Sequence, residues 1–227
     1  MFGGKAITPL TIRTMYGGGV RAASQHSQCL YPIFTHVPGI KVVIPSGPYE
    51  AKGLLIKSIR DNDPVIFLEH KAMYDVTEDV PDESYTIPFG EANFTREGKD
   101  ITLIGMGKTV SLCNNAADLL KKDGVHATVL DLRTLSPLDE DSILESVEET
   151  GRAIIADTGW IEGGIAAEIS SRLSGELHSY LKHPIIRIGL PNTPAPCART
   201  LEEVYYPRAK TVVSAVNVVL GKDKLNK

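Results

Sequence analysis

The sequence predicts an α/β protein made of two units, each with a mostly parallel sheet, and three observations lead there. Short apolar runs alternate with amphipathic stretches of helical length, the pattern of strand and crossover helix. The alternation breaks over residues 75–88, where acidic residues and prolines take over. The length of 227 residues allows one large core or two small ones, since single cores stop growing at roughly 250 to 300 residues.

In the first unit, apolar strands are expected at residues 10–12, 41–44 and 65–68, with a helix over 49–60. That helix sets Ala51, Leu54, Leu55 and Ile59 on one face and Lys52, Lys57 and Arg60 opposite. Asp61-Asn62-Asp63-Pro64 stops it. The unit is short and starts almost directly on a strand, so its sheet is expected to lack the strands that would cover its edges. The second unit predicts strands at 101–104, 127–132, 153–156 and 185–188. Helices alternate with them at 110–122, 139–150, 164–173 and 208–220.

Composition removes several function classes. A hydrophobic share of 42% with 23% charged residues is that of a globular domain, and a net charge of -4 argues against a nucleic-acid footprint of clustered Lys and Arg. Cys29, Cys113 and Cys197 are odd in number and widely spaced, so neither a disulfide framework nor a zinc site is expected. No apolar run approaches the ~20 residues of a membrane span, and the start does not read as a secretory leader.

The candidate chemistry sits at residues 13–26, Arg-Thr-Met-Tyr-Gly-Gly-Gly-Val-Arg-Ala-Ala-Ser-Gln-His. A strand runs into three glycines, whose backbone can approach a ligand or another chain, and then into His26. Imidazole, with an unperturbed pKa of about 6.5, carries protons either way near neutrality. His36, His70, His126, His178 and His183 show no spacing suited to a metal. Gly105 and Gly107 after a strand, with Asp131 downstream, make most of a dinucleotide fingerprint, but Val110 replaces the third glycine and a plain tight turn is the favoured reading. Asp157 to Gly164 lies at a strand's carboxyl end, where open sheets bind ligands, or is a helix entry with Glu162 near its N-terminus. Pro191, Pro194 and Pro196 mark an extended connector. Asp61 and Asp63 either shape the turn before Pro64, which Asp and Asn chemistry favours, or offer oxygens to a cation.

Several segments together carry a resemblance: Tyr16-Gly-Gly-Gly through Gln25-His-Ser-Gln, His36-Val-Pro-Gly-Ile-Lys-Val-Val-Ile-Pro45, and Ile59-Arg-Asp-Asn-Asp-Pro-Val-Ile-Phe-Leu-Glu69. Leu132-Arg-Thr-Leu-Ser-Pro-Leu-Asp139 and Asn192-Thr-Pro-Ala-Pro196 extend it into the second unit. Over essentially its whole length the chain resembles the beta subunit of the thiamine-diphosphate-dependent dehydrogenases of 2-oxo acid and acetoin complexes, most of all the acetoin and pyruvate types.

The resemblance implies a partial pyrimidine-type parallel-sheet domain at residues 1–75, a linker at 76–90, and a transketolase C-terminal-like three-layer α/β domain at 91–227. It implies cleavage of a carbon-carbon bond beside a carbonyl and transfer of the acyl unit to a lipoyl group. His26 is the implied catalytic residue, in a substrate or interface loop with Tyr16, Gly17, Gly18, Gly19, Gln25 and Ser27. The implied cofactor is thiamine diphosphate with magnesium, shared with an alpha subunit. Potassium is implied at Leu10, Ser58, Ile59, Asp61 and Asp63, mainly through backbone oxygens. Implied partners are that alpha subunit, a second beta subunit and a lipoyl acyltransferase core, with no nucleic acid and no membrane. The implied compartment is the cytoplasm, or the mitochondrial matrix in a eukaryote. The family's upstream glutamate-bearing segment and its Gly-Asp-Gly diphosphate motif do not occur in this sequence, so the chain reads as a truncated subunit, inactive alone. A second reading is a non-catalytic association module for beta-beta pairing and acyltransferase docking. A third, a nicotinamide-binding oxidoreductase, rests on Gly105 and Gly107 alone.

Overall fold

A computed structural model describes residues 2–222. The first sheet begins with β1 (Thr11–Tyr16), followed by the short helix α1 (Tyr31–Thr35) and β2 (Lys41–Val43). Helix α2 (Pro48–Ile59) then leads into β3 (Val65–His70). The second sheet comprises β4 (Asn93–Arg96), β5 (Ile101–Gly105), β6 (Ala127–Asp131), β8 (Ala153–Trp160) and β9 (Ile186–Leu190). Helices α3 (Lys108–Lys122), α4 (Glu140–Thr150), α5 (Ile165–Glu176), α6 (Arg199–Tyr205) and α7 (Ala209–Val219) accompany it.

The strand β7 (Thr134–Ser136) lies between β6 and α4 in sequence but pairs antiparallel with β2. The first sheet therefore runs β1-β3-β2-β7, and the second β4-β6-β5-β8-β9 with only β4 antiparallel. Alternation along β2 and β3 divides the first sheet's faces. Val43, Val65 and Phe67 pack with Leu54 of α2 and with Ile87, while Val42, Ile44, Ile66 and Leu68 face the other way. That second face shares one core with Ile104, Leu130, Ile155 and the apolar sides of α4 and α5. The opposite face of the second sheet is covered by Cys113, Ala116 and Leu120 of α3 and Val212 and Val216 of α7. Helices on both faces make three layers.

Strands β5 and β6 are buried at every position, as parallel strands between helix layers should be. By contrast, β1 ends the first sheet with Ile12 46% and Met15 58% exposed, matching the uncovered edge expected from the unit's short length. Residues 76–90 hold no helix or strand, yet Ile87 is buried on α2 and Tyr85 stacks on Tyr49 at 4.7 Å.

Four elements depart from the sequence reading. Helices α1 and α6 have only five and seven residues, too short for a helical period to show. Strand β4 carries Phe94 and Thr95 exposed on an edge, so it lacks a strand's burial pattern. Strand β7 gains its meaning from β2, more than 90 residues earlier. Asp139 caps α4 by accepting from Ser142 N at 3.1 Å, and its other oxygen accepts from Ala92 N at 2.7 Å, tying the helix start to the entry of the second sheet.

Candidate functional site

The loop after β1 leaves the carboxyl end of the first sheet and is closed at its base by Gly17 N donating to Gln28 O at 2.9 Å. Gly17 turns at φ 75° with the His70 ring where a side chain would stand, so only glycine fits. Gly18 is crowded in the same way by the Tyr206 hydroxyl and Ser27. The close approach expected of these glycines is thus used within the chain. Gly19, with Ala72 Cβ at 3.8 Å from where a Cβ would lie, is the open one. The proposed interface loop divides accordingly: Tyr16, Gly17, Gly18 and Ser27 are buried, while Gly19, Gln25 and His26 are exposed.

Three outside contacts hold the tip. Glu202 accepts from Gly19 N at 3.2 Å and from Arg21 N at 3.0 Å, and Lys71 Nζ donates to the His26 carbonyl. The backbone under His26 is therefore fixed while its imidazole reaches solvent. Arg21 and Ala23 both take positive φ, 59° and 55°, a conformation costing about 1–2 kcal/mol per residue outside glycine.

Beneath the loop lies an aromatic and acidic floor shared by the two units. The Tyr16 ring stands edge-on to His70 at 5.0 Å and to Tyr31 at 5.4 Å. His70 Nδ1 accepts from Ala72 N at 3.2 Å, so the neutral ring carries its proton on Nε2, which is buried without a partner. Burial first, then the nearby Lys108 and Lys71 charges, push the His70 imidazole down to about 4. Tyr31 Oη donates to Asp157 Oδ1, which also accepts from Gly159 N at 2.7 Å. Burial raises both the Asp157 carboxyl and the Tyr31 hydroxyl. Cys29 Sγ lies 3.0 Å from Thr158 O, and burial raises its thiol far from the reactive thiolate range. These groups staple the units together, and the exposed polar side chains of the loop are Arg21, Gln25, His26 and Gln28.

The other sequence candidates resolve differently. Asp157, expected at a strand's end as a possible ligand group, lies inside β8, which runs on to Trp160. Glu162 accepts from Asn192 Nδ2 at 2.8 Å, and the proline connector is pinned by Tyr205 Oη donating to Thr193 O at 2.6 Å. Gly105 and Gly107 make a tight turn: Val110 backbone crowds the first, and the Tyr16 hydroxyl and Ile44 fill the space above the second. Asp131 is fully buried, bonded by Ser46 Oγ and Arg133 N, and burial pushes its carboxyl up to about 7. An acid turned inward in this way is not available to a ribose.

At the expected potassium position, Lys41 Nζ lies 2.5 Å from Asp61 Oδ1 and 3.0 Å from Asp63 Oδ2, and Lys57 Nζ is 3.4 Å from Asp61 Oδ2. Burial alone would raise the Asp61 carboxyl, but its Lys41 bond leaves it below the ordinary value. The carboxylates are therefore already matched. Leu10 O accepts from Val65 N at 2.8 Å and has a second lone pair to offer, whereas Ser58 O already accepts from both Thr11 Oγ1 at 2.9 Å and Asp61 N at 3.2 Å. A cation here fits only through backbone oxygens, and Ile59 lies exposed beside them. Among the described residues no three of His, Cys, Asp and Glu are grouped to hold a metal ion, and no helix is long and apolar enough to cross a membrane.

Sequence reasoning passed over His70, Glu202 and Tyr206. His70 stands in no metal-ligand spacing, and the other two lie about 180 residues beyond the loop they touch, so no local pattern marks them.

Comparison with known families matches residues 1–77 to the transketolase pyrimidine-binding domain and residues 90–212 to the transketolase C-terminal domain. The chain is 52% identical over 224 residues to the acetoin:2,6-dichlorophenolindophenol oxidoreductase subunit beta of Cupriavidus necator, covering 99% of the chain and 66% of that protein. It is 49% identical over 226 residues to the Bacillus subtilis protein of the same description, covering 100% and 66%. The pyruvate dehydrogenase E1 component subunit beta of Bacillus subtilis is 46% identical over 219 residues, covering 96% and 67%. The chain thus spans about two thirds of the length of these relatives. Among solved structures, a split gene transketolase described as an inactive beta4 tetramer superposes with a TM-score of 0.75 at 24% identity, covering 94% of this chain and 67% of that one. These matches agree with the α/β class and the transketolase-like fold that the sequence implied.

Proposed function

The chain belongs to the transketolase-like family of beta subunits of acetoin and pyruvate dehydrogenase E1 components, and on that premise we propose that it is the His26-bearing part of such a catalytic subunit. It works with an alpha subunit, a second beta subunit and a lipoyl acyltransferase core. The reaction cleaves a carbon-carbon bond beside a carbonyl and passes the acyl unit to a lipoyl group. Thiamine diphosphate with magnesium, shared with the alpha subunit, would supply a ring that takes up the electrons of the broken bond.

The observation that supports this reading best is the exposed imidazole of His26 on a backbone fixed by Lys71 and Glu202. A fixed backbone limits where the ring can go, so His26 can meet a substrate carboxylate or move a proton at a ring nitrogen in a repeatable geometry. Gln25 beside it adds an amide donor and acceptor. The buried floor of Tyr16, Tyr31 and Asp157 keeps water from undermining the loop. Potassium, when bound, would be held by backbone carbonyl oxygens near Leu10, Ser58 and Ile59 and of the Asp61–Asp63 turn, and would steady the start of β1.

The chain alone, and the chain with an alpha subunit, are expected to show no turnover. A fusion that restores the part of the Cupriavidus necator relative this chain does not cover, paired with the alpha subunit, is expected to cleave acetoin or a 2-oxo acid. In that fusion His26→Ala is expected to cut turnover at least about 100-fold. Tight binding to the alpha subunit with no turnover in the fusion would favour the association-module reading instead.

A further inference from the structure

The loop that carries His26 is gripped from the far end of the chain. We propose that Glu202, in α6 of the second unit, is the positioning residue of that loop and clamps its tip through two backbone amides. Helix α6 is mostly exposed, with Leu201 55% and Val204 82% accessible, yet its one acid beneath the loop is only 7% exposed. Carboxylates are rarely buried this far unless they are bonded. Glu202 Oε1 accepts from Gly19 N at 3.2 Å and Arg21 N at 3.0 Å, and Oε2 stands 3.2 Å from Arg21 N. Tyr206, just after the same helix, sets its hydroxyl against Gly18.

One turn of helix therefore touches residues 18, 19 and 21, the stretch where Gly19 and Arg21 both hold positive φ. A loop with non-glycine residues in that region does not keep its shape unaided. An ionised acceptor is suited to hold it, because hydrogen bonds to a charged group are the stronger kind. The placement of His26 thereby depends on the second unit's α6, about 180 residues away in sequence. That the clamp matters for turnover rests on the function proposed above; the clamp itself does not.

The test uses the full chain and follows hydrogen exchange at the Gly19 and Arg21 amides together with tryptic cleavage after Arg21. Glu202→Ala is expected to speed exchange at those two amides at least about tenfold and to hasten the cleavage, while the amides of β5 and β8 keep their protection. Glu202→Gln keeps an acceptor oxygen without the charge and is expected to restore most of the protection. It carries the test alone if the alanine variant does not fold, through a smaller acceleration confined to the same amides. Wild-type exchange at both amides, or one acceleration shared by the whole second sheet, would overturn the clamp. Neither result tests whether His26 acts in turnover, and a His26→Ala fusion that turns over normally would leave the clamp standing.

Discussion

Protonating His70 is expected to cost this fold much of its stability in acid. The imidazole is buried between Tyr16 and Gly17, its Nδ1 is committed to Ala72 N, and Lys71 and Lys108 add positive charge nearby. Its pKa falls from 6.5 to about 4 in the folded chain. A folded-state pKa below the unfolded one gives stability that is present above about pH 6.5 and is lost as pH falls through 4. Two and a half pKa units at about 1.36 kcal/mol each come to roughly 3 kcal/mol, a large part of the roughly 5–15 kcal/mol by which domains are stable. Urea unfolding of wild type and His70→Leu at pH 7, 5.5 and 4 reads this directly. Wild type should lose about 3 kcal/mol more than the variant between pH 7 and pH 4. Equal losses in the two proteins would refute the assignment.

Asp131 titrates with the opposite sign. Its folded pKa, raised to about 7 by burial, makes stability fall as pH rises from about 4 through 7, by roughly 4 kcal/mol, and Asp131→Asn should remove that slope in the same unfolding series. In wild type the two trends offset each other over this range, so only the variants separate them. Tyr31→Phe takes the hydroxyl from a fully buried Asp157, and a loss of about 1–3 kcal/mol in unfolding free energy, read by urea unfolding, is expected. Lys41→Met leaves the buried Asp61 with Lys57 at 3.4 Å as its one charge partner and the Asp63 N–H at 3.0 Å as donor, and should cost a similar amount at pH 7. Potassium chloride, against sodium chloride at equal ionic strength, is expected to raise the thermal midpoint of the intact chain by linkage if the carbonyl oxygens near Leu10 and Ser58 hold the ion. Equal midpoints would remove potassium from this site.

Much of the framework was legible because parallel strands between helices are apolar throughout, as at Ile101–Gly105 and Ala127–Asp131. Their alternation with helices of eleven to fifteen residues, α4 and α3, left little ambiguity. What stayed hidden depends on distant partners. Thr134–Ser136 has only three residues and becomes a strand by adding to β2 of the other unit. His26 was visible because three glycines announce its turn, but its supports, Glu202 and Lys71, follow no local rule. The glycines themselves read as open to a ligand, whereas Gly17 and Gly18 are filled by His70 and Tyr206. A missing Cβ shows that something comes close without showing what.

The most direct measurement is the rate at which diethyl pyrocarbonate modifies His26, with and without a saturating alpha subunit. His36, His126 and His178, also exposed, serve as controls within the same chain. If the His26 loop forms the shared catalytic surface, its modification should slow at least several-fold in the complex while the three controls keep their rates. A complex that forms and leaves His26 as reactive as in the free chain would contradict it.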